Sequence, residues 1–306
     1  MSPSPELHAL VSVVIPAYNH ARFLGEAIKS VLDQDYQPLE VIVVNDGSTD
    51  NTPEVVALFP SVIHLEQANR GLAQARNAGV ARSKGEMVLF LDADDRLLPG
   101  AIQAGADLLA ADSSLAFAAG YSRFIAADGT PQPTNQPQRP GGDPYVALLR
   151  RNSIRNPAMV MFRRNVLMAT GGFDPDVNAC ADYELYLRIS RQYRVVFHDA
   201  VVADYRKHGD NMSDNSGLML RELAKVMRRQ RPYLDTAARR QAFSEGQRNA
   251  RSYYGDRVVN QIRARLGERT GWGETVADLA TLLRCHPAGL IEHAFRKFRL
   301  LRKGRP

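Results

Sequence analysis

Four short apolar runs set what this chain can fold into: LVSVVIPAY (10–18), EVIVVND (40–46), SVIHLEQ (61–67) and EMVLFLD (86–92). They are β-branched and nearly continuous, the pattern of strands buried on both faces. Between them lie segments of helical period, namely ARFLGEAIKSVLDQ (21–34), a short stretch from Thr52, and GLAQARNAGVARS (71–83). In the first, Phe23, Leu24, Ala27, Ile28, Val31 and Leu32 share one face. This alternation predicts an α/β chain with a mostly parallel sheet, right-handed crossovers and helices on both sides. Ligands bind such sheets beyond the carboxyl ends of the strands. Pro16, Tyr18, Asp46, Asp92 and Asp94 all stand at those ends, so one crevice should hold them.

The fourth run delivers three carboxylates in LFLDADD (89–95). Like charges this close raise one another's proton affinity, so something must relieve them. One reading is a strand-to-helix turn in which Asp94 or Asp95 caps the helix of DADDRLLPGAIQAG. The other is an Asp-X-Asp unit holding a hard divalent cation that bridges to phosphate oxygens. The residues alone leave both open. Asp46 precedes the turn of VNDGSTDNTPE (44–54), where Ser48, Thr49 and Asp50 offer helix caps and Pro53 suits a first turn. A carboxylate there can accept from a nucleobase N–H. No Gly-X-Gly-X-X-Gly follows the first strand and no P-loop occurs, so any diphosphate must be held by metal, Arg or Lys.

Composition narrows the class. Of 306 residues, 44% are hydrophobic and 24% charged, as in soluble globular proteins. Cys180 and Cys285 lie far apart and in no ligand spacing, which argues against a disulfide scaffold or zinc site and suits a reducing cytosol. The start of the chain lacks a signal-peptide pattern, and no run approaches the roughly 20 apolar residues of a membrane span. Charge is uneven. Residues 215–306 carry 20 Lys/Arg against 8 Asp/Glu, whereas 1–214 carry 19 against 25. An acidic body with a basic extension follows, with domains at 1–214 (two halves meeting at about 112) and 215–306. Residues 128–144, rich in Pro, Gln and Gly, read as a loop.

VSVVIPAYNHARFLGEAIKSVLDQDYQPLEVIVVNDGSTDNT, ANRGLAQARNAG and LFLDADD, in that order, resemble family 2 glycosyltransferases of the GT-A fold over roughly residues 10–215. The resemblance implies metal-assisted, inverting transfer of a sugar from a nucleotide diphosphate, usually UDP, to a hydroxyl of a glycan or lipid-linked acceptor. It implies that Pro16 and Tyr18 line the base site, that Asp46 pairs with the base and that Arg76 holds the nucleotide. Asp92 reaches ribose or metal, Asp94 ligates Mn2+ or Mg2+, and Asp95 is left as a cap. Inversion needs a base for the acceptor hydroxyl. GGFDPDVNACADYELYLRIS (171–190) puts Asp182 in that place; Ala181 stands where the commoner pattern has Glu, and Glu184 competes. Leu185, Leu187 and Ile189 read as core, and Cys180 as a thiol without a role. After the strand VVFHDAVVADYR, His208 fits an Arg-X-His pattern that reaches metal or diphosphate. NSIRNPAMVMFRR (152–164) should line the acceptor site through Arg155 and Asn156.

The extension reads as helical. Its end, residues 287–306, has an apolar face with Lys and Arg beside it, either an interfacial helix drawn to anionic lipid or a basic helix docked on the body. Few aromatics interleave with the basic residues, so nucleic acid is not expected. The expected place is the cytoplasm, at the inner face of the plasma membrane. A different class also fits: an inactive sugar-nucleotide-binding or scaffold protein recruited by its basic extension.

Overall fold

A computed structural model describes residues 8–135, 139–209 and 211–287. The chain divides into two compact units, Met1–Leu148 with Asn152–His208, and Leu149–Arg151 with Gly209–Pro306. The first unit begins as the sequence predicts, with β1 (Val11–Ala17), α1 (Ala21–Leu32), β2 (Leu39–Asn45), α2 (Thr52–Ala57), β3 (Ile63–Glu66), α3 (Leu72–Arg82) and β4 (Met87–Phe90). The chain continues through β5 (Arg96–Leu97), α4 (Ala101–Ala111), β6 (Leu115–Ala126), α5 (Pro144–Arg150, whose last two residues fall in the second unit), β7 (Val160–Arg163), α6 (Arg164–Ala169), α7 (Ala181–Ser190) and β8 (Arg194–Lys207).

One eight-stranded sheet runs β3-β2-β1-β4-β7-β6-β8-β5. β1 pairs in parallel with β2 and β4, β2 with β3, and β6 with β8. β7 is antiparallel to both β4 and β6, which restores the direction of β4 in β6 and β8. The carboxyl ends of β1, β2, β4 and β8 therefore lie along one edge. Alternate strand residues pack to opposite faces. Val11, Val13 and Ile15 join Leu24, Ile28 and Val31 of α1 in the main core. Val14, Ile42, Val44 and Phe90 are equally buried from the other side. Each such side chain contributes about 1.5–3 kcal/mol on burial.

On that second side α3 sits unusually close to β1. A β-carbon at Gly79 would lie 2.2 Å from Val14 Cγ1, so only glycine allows the approach. The same helix carries Arg76, one turn earlier, and the close packing brings that side chain over the exit of β4.

The second unit contains α8 (Ser216–Gln230), α9 (Ala237–Glu268) and α10 (Trp272–Cys285), around Leu220, Val258, Val259, Ile262 and Leu282. Asn215 and Thr236 cap α8 and α9 through bonds from Leu218 N (2.9 Å) and Arg239 N (3.2 Å). α10 leaves Trp272, Val276, Leu279 and Leu283 exposed at helical spacing. Among the described residues no helix is long and apolar enough to cross a membrane. The segment 287–306 lies outside the described residues except for Pro287.

Candidate functional site

The three carboxylates after β4 meet three different surroundings. Asp92 Oδ1 accepts from Arg76 Nη2 at 2.6 Å. Asp94 Oδ2 lies 2.9 Å from His208 Nε2. Asp95 is buried, accepting from Arg206 N (2.8 Å) and Asn156 Nδ2 (2.9 Å). Burial, with Asp94 and Asp92 beside it, pushes its carboxyl well above the usual carboxylate range. The helix-cap reading of these acids fails: α4 starts at Ala101 behind Gly100, and β5 intervenes. Asp95 is instead a buried brace between the 94–95 turn, β8 and the Asn156 segment.

β8 explains the Arg-X-His spacing. Residues two apart on a strand point to the same face. Arg206 is buried, donates from Nε to Asp94 O (2.7 Å) and pairs with Glu26 (2.5 Å). It fixes the turn that carries Asp94, and His208 follows on the same face opposite the Asp94 carboxylate. His20 completes a cluster. One ligand-type atom from each of His20, Asp94 and His208 lies within 4.8 Å of the others. Asp92, expected as a ligand, is not in this group; its charge is taken up by Arg76. One carboxylate and two imidazoles suit a divalent cation, so the residues present fit the expected metal.

Two separate sequence features, ARN and GGF, prove to be one structure. Asn77 donates from Nδ2 to Phe173 O (2.7 Å) and accepts from Phe173 N (2.8 Å). Gly172 has φ 68°, and a β-carbon there would stand 2.4 Å from Asn77 Oδ1, so glycine is required twice over. The Phe173 ring then lies 5.1 Å from the Arg76 guanidinium carbon. Arg76 is buried and stays charged: burial would lower it, but Asp92 and then Asp182 hold it up. Its Nε has no hydrogen-bond partner among the described residues.

Asp182 stands in the first turn of α7, half-buried, accepting from Tyr183 N at 2.7 Å. Burial pushes its carboxyl up, Arg76 pulls against the rise, and Asp92 adds to it. Glu184 differs. It is buried and held by Arg188 through Nε (3.0 Å) and Nη2 (2.8 Å), and Arg188 also donates to Thr170 O and Gly172 O. It ties α7 to the Gly-Gly-Phe turn. One turn after Asp182, the Tyr186 hydroxyl is buried without a partner among the described residues, and the charges of Asp182, Arg76 and Asp92 act on it.

At the other end of the edge, Asp46 is buried and already accepts from Gln67 Nε2 (2.7 Å), Arg70 N (2.9 Å) and Gly71 N (2.8 Å). It anchors the 67–71 loop and retains a single free lone pair on Oδ2. Pro16 is buried in β1, while Tyr18 is exposed beside it. Ser48 and Thr49 tie the β1–α1 turn rather than cap α2, whereas Asp50 does both, its Oδ1 accepting from Thr52 N (3.1 Å) and Thr52 Oγ1 (2.6 Å) at the start of that helix. Ser48 and Thr49 bond Asn19, Asp50 accepts from Ala21 N (3.0 Å), and Asn51 takes the cap position. Arg155 donates to Ser122 O and Asn135 O; Asn156 is buried, its Oδ1 without a partner among the described residues.

The sequence pattern described as glycosyl transferase family 2 matches residues 12–171, just over half of the chain. The chain belongs to that family. This family 2 glycosyltransferase is 31% identical over 210 residues to the chondroitin synthase of Pasteurella multocida, across 67% of its own length but 21% of the synthase. It thus spans about a fifth of that relative. Its fold is the GT-A fold. Staphylococcus aureus TarS 1–349, solved in complex with UDP-GlcNAc, matches with TM-score 0.64 and 18% identity over 89% of this chain and 79% of that one. The mannosyltransferase PcManGT of Pyrobaculum calidifontis, solved with GDP-Man and Mn2+, matches with TM-score 0.55 and 22% identity over 95% and 89%.

Sequence reasoning missed His20 and Tyr186. His20 had one signal: it follows a strand end and precedes a helix, where the chain must turn into the crevice. Tyr186 had none beyond sitting four residues after Asp182, which puts it on the same helix face.

Proposed function

We propose that this glycosyltransferase moves a sugar, with inversion, from a UDP-sugar to a hydroxyl of a glycan or lipid-linked acceptor in cell-surface polysaccharide synthesis. A divalent cation, Mn2+ or Mg2+, assists. The observation that carries the reading is the Asp94–His208 pair, 2.9 Å apart, at the strand edge that also presents Asp92. The UDP-GlcNAc, GDP-Man and Mn2+ in the matched structures, and the polysaccharide synthase among the relatives, support it.

Residues 1–214 form the catalytic domain in this reading. Asp94 and His208 would hold the cation, which would supply Lewis-acid stabilisation of the leaving diphosphate. Arg76 fixes Asp92, which is left to face the ribose, and lends positive charge near the diphosphate. Asp46 offers its remaining lone pair to the base, between Pro16 and Tyr18. Asp182 takes the proton of the acceptor hydroxyl, and its raised proton affinity favours that task. Glu184 is committed to Arg188 and is not the base.

The second unit suits attachment to an anionic membrane from the cytoplasmic side. α10 exposes four apolar residues on one face, and the sequence that follows, 288–306, has six Lys/Arg against one acid. The competing reading, a binding or scaffold protein, requires nucleotide binding without turnover. A panel of UDP-, GDP- and TDP-sugars, assayed for metal-dependent release of nucleoside diphosphate, separates the two. Release from a UDP-sugar supports the transferase, and UDP binding with no release supports the scaffold.

A further inference from the structure

We infer that His20 is a third protein ligand of the cation site, and that the resulting set of two imidazoles and one carboxylate makes the site favour a first-row transition ion over Mg2+. The inference rests on the metal-assisted reading above.

The spacing fits one ion. Two donors held at about 2.1 Å lie roughly 3 Å apart when adjacent and roughly 4 Å apart when opposite. Asp94 Oδ2 and His208 Nε2 stand 2.9 Å apart, and the His20 donor lies within 4.8 Å of both. Three elements supply the three groups: the β1–α1 turn, the turn after β4 and the end of β8.

His20 is held in place by its backbone. Asn19 takes a left-handed φ of 56°, and its side chain accepts from Thr49 N at 2.8 Å while its N–H donates to Ser48 Oγ at 3.0 Å. The His20 carbonyl accepts from Phe23 N (3.0 Å) and Leu24 N (3.1 Å), starting α1. The chain is thus pinned on both sides of the residue. Its ring stands edge-on to His208, centroids 6.0 Å apart, and makes no hydrogen bond among the described residues. A ring nitrogen is free to ligate.

The donor chemistry sets the preference. Mg2+ demands oxygen ligands and keeps much of its water. Imidazole nitrogen suits transition ions, whose affinity for N/O sites rises from Mn2+ along the row. Three protein ligands also leave positions for diphosphate oxygens.

The test uses the full chain with UDP at a fixed saturating concentration. Mn2+ binding is followed by electron paramagnetic resonance and Mg2+ by competition, in wild type, His20→Ala, His20→Asp and Asp94→Asn. His20→Ala should weaken Mn2+ at least tenfold, since even loss of an outer-sphere partner costs roughly 10–100-fold. It should change Mg2+ by no more than about threefold, consistent with that ion's aversion to nitrogen. His20→Asp should move the Mn2+/Mg2+ preference about tenfold toward Mg2+, because an oxygen donor replaces nitrogen. The spin-echo nitrogen modulation of bound Mn2+ should drop from two imidazoles to one in either variant. Metal-free melting curves report folding. Wild-type Mn2+ affinity and an unchanged nitrogen signal in His20→Ala, with Asp94→Asn unable to bind, would reduce His20 to packing and leave the metal reading standing. Equal losses for both ions would overturn the selectivity. If wild type with UDP binds no Mn2+, both readings fall.

Discussion

Asp182 and Glu184 are two residues apart on α7, both acidic, and should respond in opposite ways to loss of charge. Asp182→Asn keeps an oxygen for the Tyr183 N–H but cannot take a proton. Losing a general base costs about 10²–10⁴-fold in transfer, or ~3–5 kcal/mol of barrier. Stability should not fall. The folded-state proton affinity of Asp182 is raised, so its ionisation opposes folding at every pH above the unfolded value of about 4. The amide removes that opposition. The variant should melt at or above wild type at pH 7–8, and the difference should vanish as pH falls below about 4. Glu184→Gln should do the reverse. It breaks a buried pair whose Arg188 keeps two carbonyl partners, so the cost sits near the lower end of the usual range, about 3 kcal/mol. At about 2–4 °C per kcal/mol for a unit of this size, Tm should drop by about 6–12 °C, with transfer per folded molecule nearly intact. Single-turnover transfer, calorimetry of UDP with metal, and thermal melts measure the three quantities. Near-wild-type transfer by Asp182→Asn, with a dead but well-folded Glu184→Gln, would refute the assignment of the base.

The other expectations follow from the same contacts. The acid limb of the transfer pH profile should lie above that of an ordinary aspartate, because burial raises Asp182, and should disappear from the residual activity of Asp182→Asn. Asp95→Asn should melt closer to wild type than Asp95→Ala: the Asp95 carboxyl already favours its proton, the amide oxygen keeps an acceptor for Arg206 N, and the Asn156 amide can turn over so that its Oδ1 accepts from the new N–H. Asp95→Ala strands two buried donors at about 1–3 kcal/mol each and should melt well below wild type. Asp46→Ala should weaken UDP binding and also lower Tm, since three donors of the 67–71 loop lose their acceptor. Trp272→Ser with Leu283→Ser should weaken sedimentation with anionic vesicles, and salt should weaken that of wild type. Turnover on a soluble acceptor should survive, and equal sedimentation would remove the exposed face of α10 from the membrane account.

The strands and helices of residues 10–90 were legible because buried parallel strands and amphipathic helices leave strong periodic signals. β7 carries no such signal in four residues, and nothing local shows that it inserts antiparallel between β4 and β6 and leaves both running the same way. The crevice was legible because strand ends in such a sheet converge. The partners within it were not. Nothing in LFLDADD says that Asp92 goes to Arg76, Asp94 to His208, and Asp95 into the core. Those choices depend on Gly79 letting α3 reach β1 and on Arg206 reaching back 112 residues to the Asp94 carbonyl. The Asn77–Phe173 clasp spans 96 residues and is equally silent in a local window.

The central claim is that Asp94 and His208 hold the cation that makes sugar transfer possible. Release of nucleoside diphosphate from a UDP-sugar, measured with and without chelator in wild type and Asp94→Ala, tests it most directly. Wild type should release UDP with Mn2+ and stop in chelator. Asp94→Ala should release little under either condition while still folding. Wild-type release by Asp94→Ala in chelator would contradict the account.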